Sequence, residues 1–289
     1  MRHIYLCPLR WADLDELGHV NNVVYVDYLQ EARVDLLRAL GRDLGEDDDG
    51  SEGVLVVRHE ISYLSPLVLG GGDLHVECWI SEVRAASFTV AYELFHPDEG
   101  GRRVYARATT LLTPYVFATG RPRRLREDER SALAPLHEPD DRPRKPRPDG
   151  LDLTRAAHYA AQVRFSDVDV YRHVNNVKYV EYLQESRVLL GDGLWRDAAN
   201  PDLGVVVAQT DVDYHVPMVL REAPYDVWSA VTRVGGRSLV IDSEIRDGDV
   251  LCARGRVTMV FFDRAAQRSV EPGDDVRDRL RRALVTPAC

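Results

Sequence analysis

One string of residues occurs twice in this chain. The first copy, DLDELGHVNNVVYVDYLQEAR, runs from Asp13 to Arg33, and the second, DVDVYRHVNNVKYVEYLQESR, from Asp167 to Arg187. Displacing the first copy by 154 positions lays Arg10–Leu36 over Arg164–Leu190, and 17 of those 27 positions are identical. Agreement this dense marks a duplicated domain. The correspondence continues downstream, where GVLVVRHEISYLSPLVL (Gly53–Leu69) matches GVVVAQTDVDYHVPMVL (Gly204–Leu220) at a displacement of 151. The acidic stretch GRDLGEDDDGSEG (Gly41–Gly53) accounts for the change of displacement, and its charge and glycines predict an exposed loop. Three segments follow: a first unit over 1–120, a linker over 121–150 and a second unit over 151–289. The linker carries six prolines and dense mixed charge, which predicts an extended spacer over the surface. A short helix over Asp128–Ala134 is expected inside it, and a similar helix, Asp275–Leu284, closes the second copy.

Each copy reads in the same order. A short strand (Ile4–Trp11; Ala161–Ser166) leads into the motif loop, and a helix follows (Asn22–Leu40; Asn176–Leu190). On the first helix Val26, Leu29, Arg33 and Leu36 keep the spacing of one helical face. Four alternating segments rich in Val, Ile, Thr and Tyr come next, such as DLHVECWISEV and YDVWSAVTRV, bounded by Gly, Pro and Asp as antiparallel strands are. One long helix followed by a run of strands predicts an α+β unit with the helix packed on a curved sheet.

Composition narrows the function. At 45% hydrophobic and 29% charged, the chain has enough apolar residues for real cores. The opening MRHIYLCPLRWADLD has no signal-peptide pattern and no apolar run reaches membrane-spanning length, which predicts a cytoplasmic protein without membrane insertion. Cys7, Cys78, Cys252 and Cys289 form no CxxC or Cys/His pattern, so neither metal nor disulfide is indicated, and Cys78 and Cys252 read as buried thiols. A net charge of −10 argues against a nucleic-acid partner.

The motif itself suggests chemistry. Asn21 and Asn175 precede the helices and suit the N-cap position. A helix start presents backbone N–H groups and partial positive charge, a good place for an oxyanion. Asp15 and Asp169 lie six residues earlier, within reach of that end. A carboxylate beside an oxyanion-stabilising helix start fits acyl transfer, by attack on a carbonyl or by deprotonating water. Plain structural roles stand beside each of these readings. The aspartates and asparagines serve as caps, His19 and His173 as loop hydrogen-bonders, Tyr25 and Tyr179 as packing residues. Glu31/Arg33 and Glu185/Arg187 then serve as surface or interface ion pairs.

The string DxDxxxHVNNxxYxxxxxExxR resembles the motif of hot-dog fold acyl thioesterases. It is similar to the 4-hydroxybenzoyl-CoA thioesterase-like group and to fatty acyl-ACP thioesterases, and the resemblance covers both repeats. It implies a tandem (double) hot-dog, each unit a long central helix wrapped by an antiparallel sheet, the two forming an intramolecular pseudo-dimer with thioester sites at their interface. It implies hydrolysis of an acyl-CoA or acyl-ACP without a cofactor. The family's catalytic Asp falls on Asp15 and Asp169, its oxyanion backbone near Asn21–Asn22 and Asn175–Asn176, and the motif His on His19 and His173. Tyr25 and Tyr179 join Asn21 and Asn175 as substrate-binding candidates. The acyl-ACP enzymes carry Asn two residues before the His, where this chain has Leu17 and Tyr171. Arg172 replaces the Gly of the benzoyl-type loop, so the second site is expected to differ. Cations for substrate phosphates are sought first at Arg172, then at Lys178 and the Arg121–Arg124 group. Two other readings remain at this stage, a non-catalytic acyl-CoA-binding module and a hot-dog hydratase or dehydratase. Further homo-oligomerisation is left open.

Overall fold

The computed structural model describes residues 1–41, 52–140, 142, 145–198 and 200–285. The chain divides into two compact units, Met1–Lys145 and Pro146–Cys289. The loop read from the acidic stretch lies outside the described residues over 42–51.

In the first unit, β1 (His3–Cys7) leads through the motif loop to α1 (Val24–Ala39), and β2 (Glu52–Tyr63), β3 (Leu74–Val83), β4 (Phe88–Asp98) and β5 (Gly101–Val116) follow. The strands are antiparallel in the order β1-β3-β4-β5-β2, and the two-residue β6 (Arg121–Pro122) pairs with β5. After α2 (Glu127–Leu133), the second unit repeats the plan. It runs β7 (Ala157–Ala161), α3 (Asn176–Gly191), β8 (Leu203–Tyr214), β9 (Tyr225–Val234), β10 (Ser238–Asp247), β11 (Val250–Asp263), β12 (Arg268–Ser269) and α4 (Asp274–Arg282). Its strand order is β7-β9-β10-β11-β8, with β12 on β11.

The helices are held by what they bury. Val26, Leu29, Ala32 and Leu36 of α1 are almost wholly inaccessible. Each large side chain so placed stabilises the unit by about 1.5–3 kcal/mol. The backbone ladder of α1 starts two residues later than predicted, at Val24. In α3 the side chain of Asn175 accepts from the Val177 N–H and fixes the start at Asn176. The α3 helix ends where Trp195 packs over Gly191; a Cβ there would stand 2.6 Å from the indole. Under α3 a hydroxyl chain links Ser186, Ser229 and Ser243 at 2.8 and 2.7 Å. Ala32, Cys78 and Tyr92 hold those places in the first unit, so the two cores have diverged in chemistry while keeping one shape.

Three expectations need correction. The leading strands are earlier and shorter than Ile4–Trp11 and Ala161–Ser166, because Trp11–Asp13 and Phe165–Asp167 form tight 3-10 turns closed by the Asp carboxylates. Most of the segment read as a spacer belongs to the first unit. Leu125, Leu133 and Leu136 are buried, and Arg123 forms a two-pronged ion pair with Glu129 at 2.8 Å and reaches Glu52. The returning chain bridges Ile80 with His137, as Leu284 bridges Val231 in the second unit, so α2 and α4 are the same closing element of the repeat. Finally, Arg33 and Arg187 do not lie on the helix surface; each is 5% exposed on the inner stripe of its helix. Cys78 and Cys252 are buried, as read.

Candidate active site

The two aspartates of each DxD have different jobs. The first is structural. Asp13, 3% exposed, accepts the Tyr28 hydroxyl at 2.7 Å and the Arg10 N–H at 2.8 Å. Asp167 does the same with Tyr182 at 2.6 Å and Arg164 at 2.8 Å. The backbone carbonyls of Asp13 and Asp167 also accept the Asn21 and Asn175 N–H groups at 2.8 Å, which returns the chain to the helix start.

The second aspartate closes the loop and keeps one oxygen in hand. Asp15 Oδ1 accepts the Leu17 and His19 N–H groups at 2.8 and 3.1 Å, and the Asp15 N–H donates to the His19 carbonyl at 2.7 Å. Asp169 repeats this with Tyr171 and His173 at 2.9 and 3.3 Å. Among the described residues no hydrogen bond is made to Oδ2 of either aspartate. A half-buried carboxylate with one anchored and one uncommitted oxygen has the form of a positioned base or nucleophile. Burial pushes the Asp169 carboxyl above its ordinary range, against the opposing pull of the Tyr171 and His173 N–H groups and of the His173 ring.

The helix start beside this loop is clamped from the ends of β2 and β8 and from the segments that follow them. The Val20 N–H donates to the Leu67 carbonyl at 2.8 Å, and Val174 to Met218 at 2.9 Å. Tyr63 donates to the Asn22 carbonyl at 2.8 Å, and Tyr214 to that of Asn176 at 3.0 Å. Asn21 and Asn175 turn their side-chain oxygens onto the Val23 and Val177 N–H groups, both at 3.0 Å, so each acts as a local cap. Tyr25 packs edge-on against Tyr63 with ring centres 5.1 Å apart, and Tyr179 against Tyr214 at 5.2 Å. Burial is the first cause that holds the Tyr25 and Tyr179 hydroxyls well above the ordinary phenol range; the charges of Asp15 and Asp169 add to it. Both therefore stay neutral. The Met218 N–H donates to the Tyr179 hydroxyl at 2.7 Å, and Tyr25 is hydrogen-bonded to the Leu67 backbone.

The structure thus brings Asp15, His19, Asn21, Asn22 and Tyr25 together on one loop and helix start, and Asp169, His173, Asn175, Asn176 and Tyr179 on the other. Tyr63/Tyr214 and Leu67/Met218 were missed in the motif reading. Their signal was the second repeated string, in which Tyr63, Pro66, Val68 and Leu69 recur as Tyr214, Pro217, Val219 and Leu220. Of the sought cations, Lys178 is paired with Glu181 at 2.6 Å and Arg123 with Glu129 and Glu52, whereas Arg172 is exposed at its loop tip. Among the described residues no cluster of three or more His, Cys, Asp or Glu has metal-holding geometry, and no helix is long and apolar enough to cross a membrane.

Comparison with known proteins agrees with this architecture. The chain is 30% identical over 129 residues to the long-chain acyl-CoA thioesterase FadM of Escherichia coli, a match that covers 41% of this chain and 92% of that one. It is equally 30% identical over 124 residues to the uncharacterized protein YsmA of Bacillus subtilis, covering 41% of this chain and 80% of that one. The 12:0-ACP thioesterase of Umbellularia californica aligns in structure with a TM-score of 0.70 at 16% identity, covering 90% of this chain and 94% of that one. An acyl-ACP thioesterase of Bacteroides thetaiotaomicron aligns at 0.65 and 14%, covering 90% and 97%. At those identities the structures speak for the fold, two hot-dog units in tandem. The profile of the Thioesterase-like superfamily matches residues 9–134 and 163–280, one segment in each repeat, and the chain belongs to that superfamily.

Proposed function

We propose that this thioester hydrolase acts on an acyl-CoA, releasing the free acid and the thiol, with Asp15 and Asp169 as the working carboxylates. The observation that carries the reading is the uncommitted Oδ2 of each aspartate, whose Oδ1 is held by two backbone N–H groups of the same loop. That oxygen takes a proton from water as the water attacks the thioester carbonyl, or attacks the carbonyl itself. The partial positive charge of the α1 start, two residues after Asn22, or of the α3 start at Asn176 faces the developing oxyanion. The tyrosine clamps hold that start in place, and His19 and His173 line the same loops. The 30% identity to a long-chain acyl-CoA thioesterase supports CoA as carrier and a fatty acyl group as the acid. The test is thiol release from a panel of acyl-CoAs of rising chain length, with the matching acyl-ACPs in parallel. Turnover of the CoA esters with a chain-length optimum is expected. Turnover of the ACP esters alone would overturn the carrier assignment.

The raised Asp169 carboxyl makes a pH prediction. A working carboxylate must be ionised, so its activity is lost as pH falls through its own pKa. In an Asp15→Asn variant only Asp169 remains, and the acid limb of kcat/KM should lie above the 3.8 of an ordinary aspartate. A limb at or below that value would show that Asp169 is not the group being titrated.

A further inference from the structure

The two motif loops share one backbone and differ in charge. Turn for turn, their hydrogen bonds coincide: Asp15 N–H to His19 and Gly18 N–H to Asp15, against Asp169 N–H to His173 and Arg172 N–H to Asp169. The side chains do not. Glu16, Gly18 and Val24 of the first copy stand where the second has Val170, Arg172 and Lys178. Over the matched windows 10–28 and 164–182, Arg10 faces Asp13, Asp15, Glu16 and Asp27, a formal −3; Arg164, Arg172 and Lys178 face Asp167, Asp169 and Glu181, a formal zero.

Arg172 is the centre of that difference. Its backbone sits at φ 63°, a left-handed conformation that Gly18 adopts at 74° without penalty. For a side chain with a Cβ this costs about 1 kcal/mol or more. The guanidinium is exposed, and among the described residues it makes no ion pair or hydrogen bond. Arg10 by contrast is bound to Asp13, and Lys178 to Glu181. A strained, unengaged cation thus stands three residues from Asp169, in a chain whose net charge is −10.

We infer that the two loops are specialised, the Asp169 loop for thioesters on a phosphate-bearing arm, with Arg172 contacting a phosphate, and the Asp15 loop for thioesters without one. This rests on the thioesterase reading above. Loop position alone does not distinguish the copies; the sign of the charge beside each aspartate does. An arm carrying several negative charges is drawn to Arg172 and turned away by Glu16, within the roughly 8 Å over which exposed charges act at physiological salt.

The experiment compares the full-length chain with Arg172→Gly and Glu16→Gln. The substrates are decanoyl-CoA and the decanoyl thioester of N-acetylcysteamine, which has no phosphate. Arg172→Gly should lower the ratio of kcat/KM on the CoA ester to that on the short thioester about fivefold, chiefly through KM, and flatten its salt dependence. Glu16→Gln should move the ratio the other way. Thermal melting checks that Arg172→Gly, which relieves the left-handed strain, is folded. A ratio and salt slope unchanged in both variants would overturn the assignment. If neither ester is turned over by any form, the thioesterase reading fails, and calorimetric binding of coenzyme A alone decides the loop. Weaker binding to Arg172→Gly than to the parent supports Arg172 as the phosphate contact, and equal binding overturns it.

Discussion

A chain carrying both Asp15→Asn and Asp169→Asn should fold as the parent does and lose turnover by about 10²–10⁴-fold, the usual scale of a positioned base. The substitution is chosen for what it leaves intact. Each aspartate anchors its loop through Oδ1, which accepts two backbone N–H groups. An Asn side chain keeps an oxygen there. What changes is Oδ2, the oxygen without a donor, which becomes an amide with no basicity. The melting temperature should stay within a few degrees of the parent, and acyl-CoA should still bind, because the clamps from Tyr63 and Tyr214 are untouched. The single variants separate the sites. If both loops work, each single variant retains part of the activity, and the loop charges determine which part. Asp169→Asn should remove most turnover of the CoA ester, and Asp15→Asn most turnover of the phosphate-free thioester. Full activity in the double variant would return both aspartates to loop closure alone.

The duplication and the helix-then-strands order were legible because both are local patterns: identity at a fixed displacement, and a hydrophobic period that changes from helical to alternating. The candidate site was legible in part for the same reason. Asp15, His19, Asn21, Asn22 and Tyr25 are close in sequence, so their gathering on one loop and helix start needed no tertiary knowledge. What was not legible depends on contacts far along the chain. Tyr63 lies 41 residues from the Asn22 carbonyl it holds, and nothing in its neighbourhood announces that partner. Arg33 sits on the apolar face of α1 by spacing alone, yet a charged letter there reads as surface, and only the packing shows that it is inside. The proline-rich stretch misled for the opposite reason. Its charges look solvated, but Arg123 is spent on Glu129 and Glu52, its three spaced leucines are buried, and His137 bridges to Ile80. Nor does a sequence say which Asp of a DxD pair is anchored and which is left with a spare oxygen. That division is set by Tyr28 and Tyr182, fifteen residues on.

Asp13→Ala should produce the opposite signature to Asp15→Asn, a large loss of stability of its unit, by about 3 kcal/mol. Besides the exposed Arg10 guanidinium, the removed carboxylate leaves two donors behind. One is the hydroxyl of Tyr28, a residue 2% exposed, and the other is the backbone N–H of Arg10. A buried donor stripped of its acceptor costs about 1–3 kcal/mol. Asp167→Ala should do the same through Tyr182 and Arg164. The effect should depend on the partner. In the pair Asp13→Ala with Tyr28→Phe the orphaned hydroxyl is gone, so the double variant should be less unstable than the two single losses added, by about 1–2 kcal/mol in a urea-denaturation cycle. Charge gives a second check. Burial alone would raise the Asp13 carboxyl, but the hydrogen bonds from Tyr28, the Arg10 N–H and the Arg10 side chain outweigh it and hold the group below its ordinary 3.8. A carboxyl lowered on folding stabilises at every pH above its unfolded value and ceases to do so as pH falls through the folded one. The parent should therefore lose part of its stability on acidification below about pH 4, and Asp13→Ala should lose less over the same interval. Activity of the first loop should fall too, since Asp13 also receives the Asn21 N–H that returns the chain to α1, but that fall should track unfolding and recover at lower temperature. An Asp13→Ala chain as stable as the parent, yet inactive, would exchange the roles of the two aspartates and make the first Asp of the pair the chemical one.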